Sequence, residues 1–254
     1  MSLTDQSTRI REGEELDAAA IDPYLKAHIP GLSGTPRISQ FPGGASNLTY
    51  LLEYPEKEFV LRRPPFGKKA KSAHDMGREF RILNQLNAGF PYCPKAYVHC
   101  TDESVIGAEF YVMERVKGVI LRADVPAELN LDEASTRKLC RSFIDKLVEL
   151  HNVDYEACGL GDLGKPEGYV QRQIGGWSDR YEKAMTPDAP TWEPVKAWLK
   201  DKMPADHHKP GIVHNDYRFD NVILDPNDPL KIIGVLDWEL TTIGDPLMDL
   251  GNTL

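Results

Sequence analysis

The amino-acid sequence predicts an α+β fold in which strands come first and helices follow. Short β-branched and apolar runs dominate the chain up to Gly118, and apolar residues recur at helical intervals after it. Two further apolar runs, at residues 222–224 and 232–236, flank a turn-rich segment and predict an antiparallel hairpin. With 254 residues, 41% of them hydrophobic, the chain is long enough for one large domain or two lobes.

Charge and hydropathy limit the classes of partner. The chain has 30 basic and 39 acidic residues and a net charge of −9, which argues against nucleic-acid and anionic-membrane binding. No apolar run approaches the length of a membrane span, and the first residues lack the apolar core of a signal peptide. We therefore expect a cytoplasmic protein without a membrane partner.

The first predicted elements are a short helix at residues 17–28 and two extended segments within residues 38–53. A small loop joins the extended segments and contains Gly43, Gly44, Ser46 and Asn47. Glycines let backbone N–H groups approach a polyphosphate closely, and the serine and asparagine add short donors. The loop is thus a predicted phosphate-binding element, with a plain hairpin turn as the alternative.

A third predicted strand begins at residue 58 and carries two adjacent arginines, Arg62 and Arg63. A basic group at the end of this strand can reach the α- and β-phosphates of a nucleotide. Because neighbouring strand residues point to opposite faces, only one of the two arginines can do so. The next predicted helix, residues 74–88, carries Glu79 beside its apolar stripe, where a solvated surface glutamate is the alternative interpretation.

Residues 108–118 predict a strand that runs into a connecting segment, and helical patterns follow. Asn130 and Glu133 are spaced as a capping box at the start of a helix that continues to His151. A second apolar stripe covers residues 170–185, and Pro194 opens a third helix.

The predicted hairpin brings polar side chains together. Asn221 comes just before its first strand and Asp237 just after its second, so both lie at the same end of the ribbon. Asp216 lies in the loop that leads in. Carboxylate and amide oxygens suit Mg²⁺ holding a phosphate better than they suit zinc, which indicates a phosphoryl-transfer site. The alternative is a hairpin with a solvated acidic turn.

These residues also carry a resemblance to known proteins. The spacing His214-x-Asp216-x-x-x-x-Asn221, followed by Asp237, resembles the catalytic loop and metal-binding segment of the protein-kinase-like fold. The forms His-Asn-Asp and Asp-Trp-Glu, followed by residues 244–249, are similar to the aminoglycoside phosphotransferase and choline kinase superfamily. Within it, the chain most resembles the kinase-like domain fused to, or encoded beside, acyl-CoA dehydrogenases.

The resemblance implies a bilobal protein-kinase-like fold. Residues 1–115 would form a nucleotide-binding N-lobe with a small antiparallel sheet, and residues 116–254 a mostly helical catalytic C-lobe with the catalytic hairpin. The resembling proteins continue into further helices, so we expect this C-lobe to be short at its C-terminus.

The resemblance also assigns roles at the site. Asp216 would accept or orient the proton of the acceptor hydroxyl, and His214 would brace the loop. Asn221 and Asp237 would hold Mg²⁺ on the nucleotide phosphates. Arg62 stands at the position of a lysine, which is not a neutral exchange, and Glu79 would pair with it. Adenine would be recognised by the Glu114 carbonyl and the Val116 amide, for which a plain strand is the alternative.

The function implied is transfer of the γ-phosphoryl group of ATP, or of GTP, with Mg²⁺ to a hydroxyl on a small molecule. A hydroxylated acyl or acid metabolite is the favoured acceptor, through a functional link to an acyl-CoA dehydrogenase, and aminoglycosides or choline are family alternatives. The competing function is a nucleotide-binding pseudokinase or assembly module without turnover, suggested by Arg62 and the short C-terminus.

Overall fold

An antiparallel sheet is the main element of the N-terminal half of the chain. The structure, a computed structural model, describes residues 3–42, 47–67, 75–122, 124–206 and 209–253. Among these residues, five strands pair in the order β1-β2-β3-β5-β4, and every neighbouring pair is antiparallel. The strands are β1 Arg37–Gln40, β2 Leu48–Glu53, β3 Glu58–Arg63, β4 Ala96–Cys100 and β5 Phe110–Glu114. The strand β4 was not among the predicted elements.

The two faces of this sheet have different neighbours because strand residues alternate. One face packs against helix α1, Ala18–His28, and forms a buried apolar core that includes Ile21, Leu25 and Phe59. Helix α2, Met76–Leu86, buries a stripe at helical spacing that consists of Met76, Glu79, Ile82, Leu83 and Leu86. Both helices begin after a capping aspartate, Asp17 for α1 and Asp75 for α2. The predicted helix at 74–88 is therefore too long by two residues at each end.

The predicted hairpin is confirmed. Strands β8, Val222–Asp225, and β9, Asp228–Val235, pair antiparallel, and a short strand β6, Val119–Ile120, joins them at the edge of β8. The second strand begins at Asp228 rather than at residue 232, because the turn needs only the two residues Pro226 and Asn227.

The helices after residue 130 are close to those predicted. They are α3 Glu133–His151, α4 Tyr169–Ala184 and α5 Glu193–Asp201. The predicted capping box of Asn130 and Glu133 is wrong. Asp132 begins α3 instead, because its Oδ1 atom accepts a hydrogen bond of 2.7 Å from the Ser135 backbone N–H, while Asn130 adopts a left-handed conformation with φ of 48°.

By their internal contacts, the residues form two compact units. Unit 1 comprises residues 1–146 and 218–239, and unit 2 comprises residues 147–217 and 240–254. In unit 2, strand β7, Gly211–Val213, pairs antiparallel with strand β10, Thr242–Gly244, and helix α6, Leu247–Thr253, follows. The predicted lobes, 1–115 and 116–254, divide the chain differently and stay a prediction. No helix in the described ranges has the length and apolar character needed to cross a membrane.

Candidate active site

Unit 1 contains a cavity between one face of the sheet and the hairpin. Its polar lining includes Arg62 from β3, Asn221 before β8 and Asp237 after β9. Val60, Met113 and Ile223 are among its apolar lining residues. The remaining lining residues are Asp5, Phe41, Thr49, Glu114, Arg115, Val116, Ile120, Arg122, Asp220 and Leu236. The cavity therefore has an apolar wall beside a group of charged and amide side chains.

Arg62 forms a buried ion pair with Glu79 of α2. The Nη1 atom of Arg62 donates to Oε1 of Glu79, and the two residues are only 8% and 2% exposed. Burial raises the pKa of Glu79 to about 7, although the Arg62 guanidinium beside it acts in the opposite direction. The carboxylates around Arg62 raise the pKa of its guanidinium, which stays charged. The predicted pairing of these two residues is thus present as a contact.

The alternation of strand residues separates the two arginines. Leu61 and Phe59 belong to the apolar core, and Arg63 points to the same side of β3 as they do. Arg63 donates from Nε to the Pro64 carbonyl and from Nη1 to the Ile106 carbonyl, at 3.1 Å each. Of Arg62 and Arg63, Arg62 is therefore the one that lines the cavity.

The hairpin brings Asn221 and Asp237 to one end of the ribbon. The Leu236 backbone N–H donates to the Asn221 carbonyl at 2.8 Å, which fixes the two strand ends side by side. Asp237 has a φ of 66°, in the left-handed region that aspartate and asparagine tolerate better than most residues. Its Oδ1 atom accepts from Nη2 of Arg62 at 3.2 Å. Asn221 and Asp237 thus line the cavity from the ends of two neighbouring strands, at the base of the hairpin.

The donor set suits Mg²⁺ better than a metal that requires an all-protein cage. Among the residues that the structure describes, no cluster of three or more His, Cys, Asp or Glu side chains could hold a metal by itself. Magnesium commonly takes one or two carboxylates together with substrate phosphates and water. The Asn221 amide oxygen and the Asp237 carboxylate therefore fit a magnesium ion that shares its coordination with a phosphate.

A further acidic residue, Glu239, received no role from the sequence. Its Oε2 atom accepts from Nδ2 of Asn47 at 3.1 Å and lies 3.9 Å from Nη2 of Arg62. The Arg78 side chain donates to the Glu239 carbonyl at 3.0 Å. Asn47, predicted as a phosphate donor, thus donates to Glu239. Gly43, Gly44 and Ser46 of the same predicted loop lie outside the described residues.

Glu114 and Val116 both line the cavity, at the end of β5 and just beyond it. The Glu114 backbone N–H donates to the Lys95 carbonyl at 2.8 Å, and its carboxylate accepts from the Lys95 backbone N–H at 3.4 Å. The side chain of Glu114 is therefore directed at the chain before β4.

Unit 2 holds His214 and Asp216 in a loop anchored by Asp249. The buried Asp249 carboxylate accepts from the backbone N–H groups of His214 at 2.9 Å and Asn215 at 2.7 Å, and from the His151 ring at 2.8 Å. The Asp216 backbone N–H donates to Nδ1 of His214 at 3.3 Å, so this ring nitrogen is the unprotonated one. His214 is fully buried, and its ring contacts the backbone of Asp216; its role in bracing the loop stays a prediction.

Known proteins match this chain along most of its length. The family described as phosphotransferase enzyme family matches residues 37–254. Acyl-CoA dehydrogenase family member 11 of Gallus gallus is 34% identical over 255 residues, which cover 98% of this chain and 32% of that protein. The Homo sapiens protein of the same name is 35% identical over 244 residues, which cover 94% of this chain and 31% of that protein. The chain thus spans about a third of the length of these curated relatives.

Solved structures match as well. A candidate aminoglycoside phosphotransferase from Ralstonia eutropha JMP134 superposes with a TM-score of 0.80 at 34% identity, covering 94% of this chain and 69% of that chain. A streptomycin–ATP–APH(2″)-IIa ternary complex superposes with a TM-score of 0.60 at 21% identity, covering 92% of this chain and 74% of that chain. It therefore shares the fold. The predicted α+β, protein-kinase-like fold is confirmed. The chain therefore belongs to the phosphotransferase enzyme family and is similar, within it, to a segment of the acyl-CoA dehydrogenase family proteins.

Proposed function

We propose that this chain transfers the γ-phosphoryl group of ATP, or of GTP, to a hydroxyl group on a small molecule. One observation carries the proposal: Arg62, Asn221 and Asp237 line one cavity, with Arg62 held by the buried Glu79. A fixed cation beside two magnesium-type oxygen donors is the arrangement that binds a polyphosphate. Membership of the phosphotransferase family supports the same conclusion.

The nucleotide would bind with its base on the apolar wall and its phosphates at the charged end. Val60 and Ile223, which line the cavity, would offer apolar surface to the base, and the backbone at Glu114 and Val116 would offer hydrogen bonds to its edge. Arg62 would contact the α- and β-phosphates. A magnesium ion held by Asn221 and Asp237, when bound, would neutralise charge on the phosphates.

In the transfer step, the acceptor oxygen forms a bond to the γ-phosphorus while the bond from that phosphorus to the β–γ bridging oxygen breaks. The electron pair of the broken bond leaves with the nucleoside diphosphate, and the hydroxyl proton passes to the Asp216 carboxylate. His214 keeps the backbone of Asp216 in place through the hydrogen bond at Nδ1.

One observation favours a second function, a nucleotide-binding module without turnover. Oδ1 of Asp237 already accepts from Arg62, so a metal ion would have to share this carboxylate with a guanidinium. If the metal cannot do so, the cavity would bind nucleotide without supporting transfer.

The acceptor that we propose is a hydroxylated acyl or acid metabolite. The names of the relatives support this class, since these proteins are called acyl-CoA dehydrogenases and the chain matches about a third of their length. A panel of hydroxyacyl-CoA esters and free hydroxy acids, with an aminoglycoside and choline as comparison compounds, tests it. Phosphorylation of the comparison compounds alone would contradict this choice of acceptor.

Calorimetric titration of ATP with and without Mg²⁺ is the first test. We expect magnesium-dependent binding by the parent chain and its loss in Asp237→Ala. Asp237→Asn is the matched variant, because asparagine tolerates the left-handed conformation and so separates loss of charge from backbone strain. Binding that is indifferent to Mg²⁺ and to both substitutions would contradict the metal site.

A measurement of turnover distinguishes the proposed kinase from a nucleotide-binding module without turnover. Replacing a general base costs about 10²–10⁴-fold in rate, so Asp216→Asn should lose turnover by that factor while its affinity for ATP is kept. ATP binding without turnover in the parent chain, across the whole acceptor panel, would favour the module.

A further inference from the structure

The N-terminal segment, residues 3–8, forms part of the wall of the cavity. Thr4 makes an antiparallel bridge with Val119, and the Asp5 backbone N–H donates to the Gly118 carbonyl at 3.1 Å. Thr8 makes a second bridge, with Gln40 at the end of β1. The segment is therefore attached both to the chain that follows β5 and to the first strand of the sheet.

Asp5 is held in this wall by two arginines that also line the cavity. Its carbonyl accepts from Nη2 of Arg115, and its Oδ1 atom accepts from Nη2 of Arg122 at 3.1 Å. The Asp5 side chain is 20% exposed and lines the cavity. A carboxylate accepts through both oxygens, so the bond from Arg122 to Oδ1 leaves Asp5 with acceptor capacity toward a ligand.

The chemistry of the Asp5 carboxylate limits the ligand groups that it can contact directly. A carboxylate oxygen accepts from hydroxyl or amine donors and cannot accept from the oxygens of an ionised phosphate. Asp5 contacts Gly118 and Arg115, which flank Val116, whereas the proposed phosphate contact is Arg62. In a nucleotide, the group joined directly to the base is the sugar, and its hydroxyls are hydrogen-bond donors.

We infer that Asp5 recognises a ribose hydroxyl of the bound nucleotide, so that the N-terminal segment sets the preference of the site for ribonucleotides. The inference rests on the proposed function, since it requires nucleotide in this cavity. Nothing in the predicted site residues pointed to it, because residues 3–8 carry no motif.

The test is a calorimetric comparison of ATP, 2′-deoxyATP and 3′-deoxyATP, each with Mg²⁺. A hydrogen bond to a charged group corresponds to a preference of about tenfold or more, so the full chain should bind ATP at least that much more tightly than one deoxy analogue. Asp5→Ala should remove this preference by weakening ATP alone, because the backbone contacts of residue 5 do not need the side chain.

Arg122→Ala is the matched variant. It removes the same ion pair but leaves the Asp5 carboxylate, so it should keep the preference for ATP. Glu12→Gln, at an exposed carboxylate, controls for loss of charge. Thermal unfolding of each variant checks that it folds.

The outcomes distinguish this inference from the proposed function. Failure of the parent chain to bind any of the three nucleotides would overturn the proposed function and the inference with it. Binding of all three with equal affinity would overturn the inference alone. Equal weakening of all three by Asp5→Ala would show that the Asp5–Arg122 ion pair only supports the cavity wall, and it would overturn the inference.

Discussion

Arg62 contacts two carboxylates that belong to different parts of the fold. Its guanidinium contacts Glu79 on α2 and Asp237 after β9, and its own strand lies between β2 and β5. A lysine would have to make both contacts from one ammonium nitrogen, whereas the arginine reaches its partners through two different nitrogens, Nη1 and Nη2. The arginine therefore links the sheet, the helix and the hairpin at one point of the cavity.

We expect Arg62→Met to lower both stability and nucleotide affinity. Removing one partner of a buried ion pair leaves the other uncompensated and costs about 3–5 kcal/mol in the free energy of unfolding. Urea unfolding and ATP titration measure the two effects. Arg63→Met is the control, because Arg63 lies on the opposite face of β3 and its loss should leave ATP affinity unchanged. Equal loss of ATP affinity in both variants would contradict the assignment of Arg62.

Glu79 gives a prediction about pH. Burial raises its pKa from 4.5 to about 7, so the folded state holds this proton more tightly than the unfolded state does. The stability that this proton contributes is full below pH 4.5 and is lost as the pH rises through about 7. The free energy of unfolding, relative to Glu79→Gln, should therefore fall as the pH rises over this range.

Chemical denaturation of the parent chain and Glu79→Gln at closely spaced pH values measures that difference. Glutamine is the suitable reference because it is neutral at every pH and has nearly the same shape. A difference that grows with rising pH would show instead that Arg62 keeps Glu79 ionised in the folded state.

At the scale of elements, the start of α2 controls where Glu79 lies. Asp75 caps this helix by accepting from the Arg78 backbone N–H at 2.8 Å, one residue before Glu79. Asp75→Ala should cost about 1 kcal/mol of stability and weaken ATP binding, because the first turn frays and Glu79 with it. Asp75→Ser keeps a capping oxygen and should restore both, as measured by thermal unfolding and titration. Loss of stability without loss of ATP affinity would show that the Asp75 cap does not position Glu79 for nucleotide binding.

Two glycines, one just before β6 and one within α4, should respond to alanine in opposite directions. A Cβ atom at Gly118 would overlap the Leu224 carbonyl oxygen and the Ile223 side chain, so Gly118→Ala should destabilise the chain by about 1–3 kcal/mol. A Cβ atom at Gly175 in α4 meets no atom of the described residues within 4 Å. Gly175→Ala should therefore stabilise the chain by about 0.5–1 kcal/mol. Urea unfolding of the two variants checks the signs, and destabilisation by both would contradict the reasoning.

For the whole molecule, nucleotide binding should protect one unit. Every residue that lines the cavity belongs to unit 1. Hydrogen exchange with Mg²⁺ and ATP should therefore slow in peptides that cover residues 58–63, 113–122 and 221–237. Helix α5 of unit 2 is the internal control, and slowing there of equal size would place the nucleotide elsewhere.

The sequence predicts those parts of the molecule that depend on local patterns. The apolar residues 59–61, followed by prolines at 64 and 65, predict β3, and the turn residues after Asp225 predict the hairpin. The hairpin in turn predicts that Asn221 and Asp237 meet. The N-cap of α3 was placed two residues early, because Asn130 and Asp132 are both good capping residues and only the backbone conformation decides between them.

Contacts between distant segments could not be predicted. Arg115 and Asp5 are 110 positions apart, and the segment around Asp5 has no periodicity that would assign it to a wall. Glu239 stands in the quoted Asp-Trp-Glu triplet, but its contacts with Asn47 and Arg62 depend on how the sheet and hairpin pack. Local pattern thus predicts the candidate site residues on the hairpin, and only the folded chain shows which residues surround them.

The burial of Trp238 gives the protein a built-in optical probe. Of the four tryptophans, Trp238 is 1% exposed and packs edge-on against Phe90, whereas Trp177, Trp192 and Trp198 are each more than half exposed. A water-soluble quencher such as acrylamide should quench the fluorescence of the three exposed tryptophans and leave the blue-shifted emission of Trp238. Because Trp238 follows Asp237 directly, that residual fluorescence would report on magnesium and nucleotide at the base of the hairpin without any label.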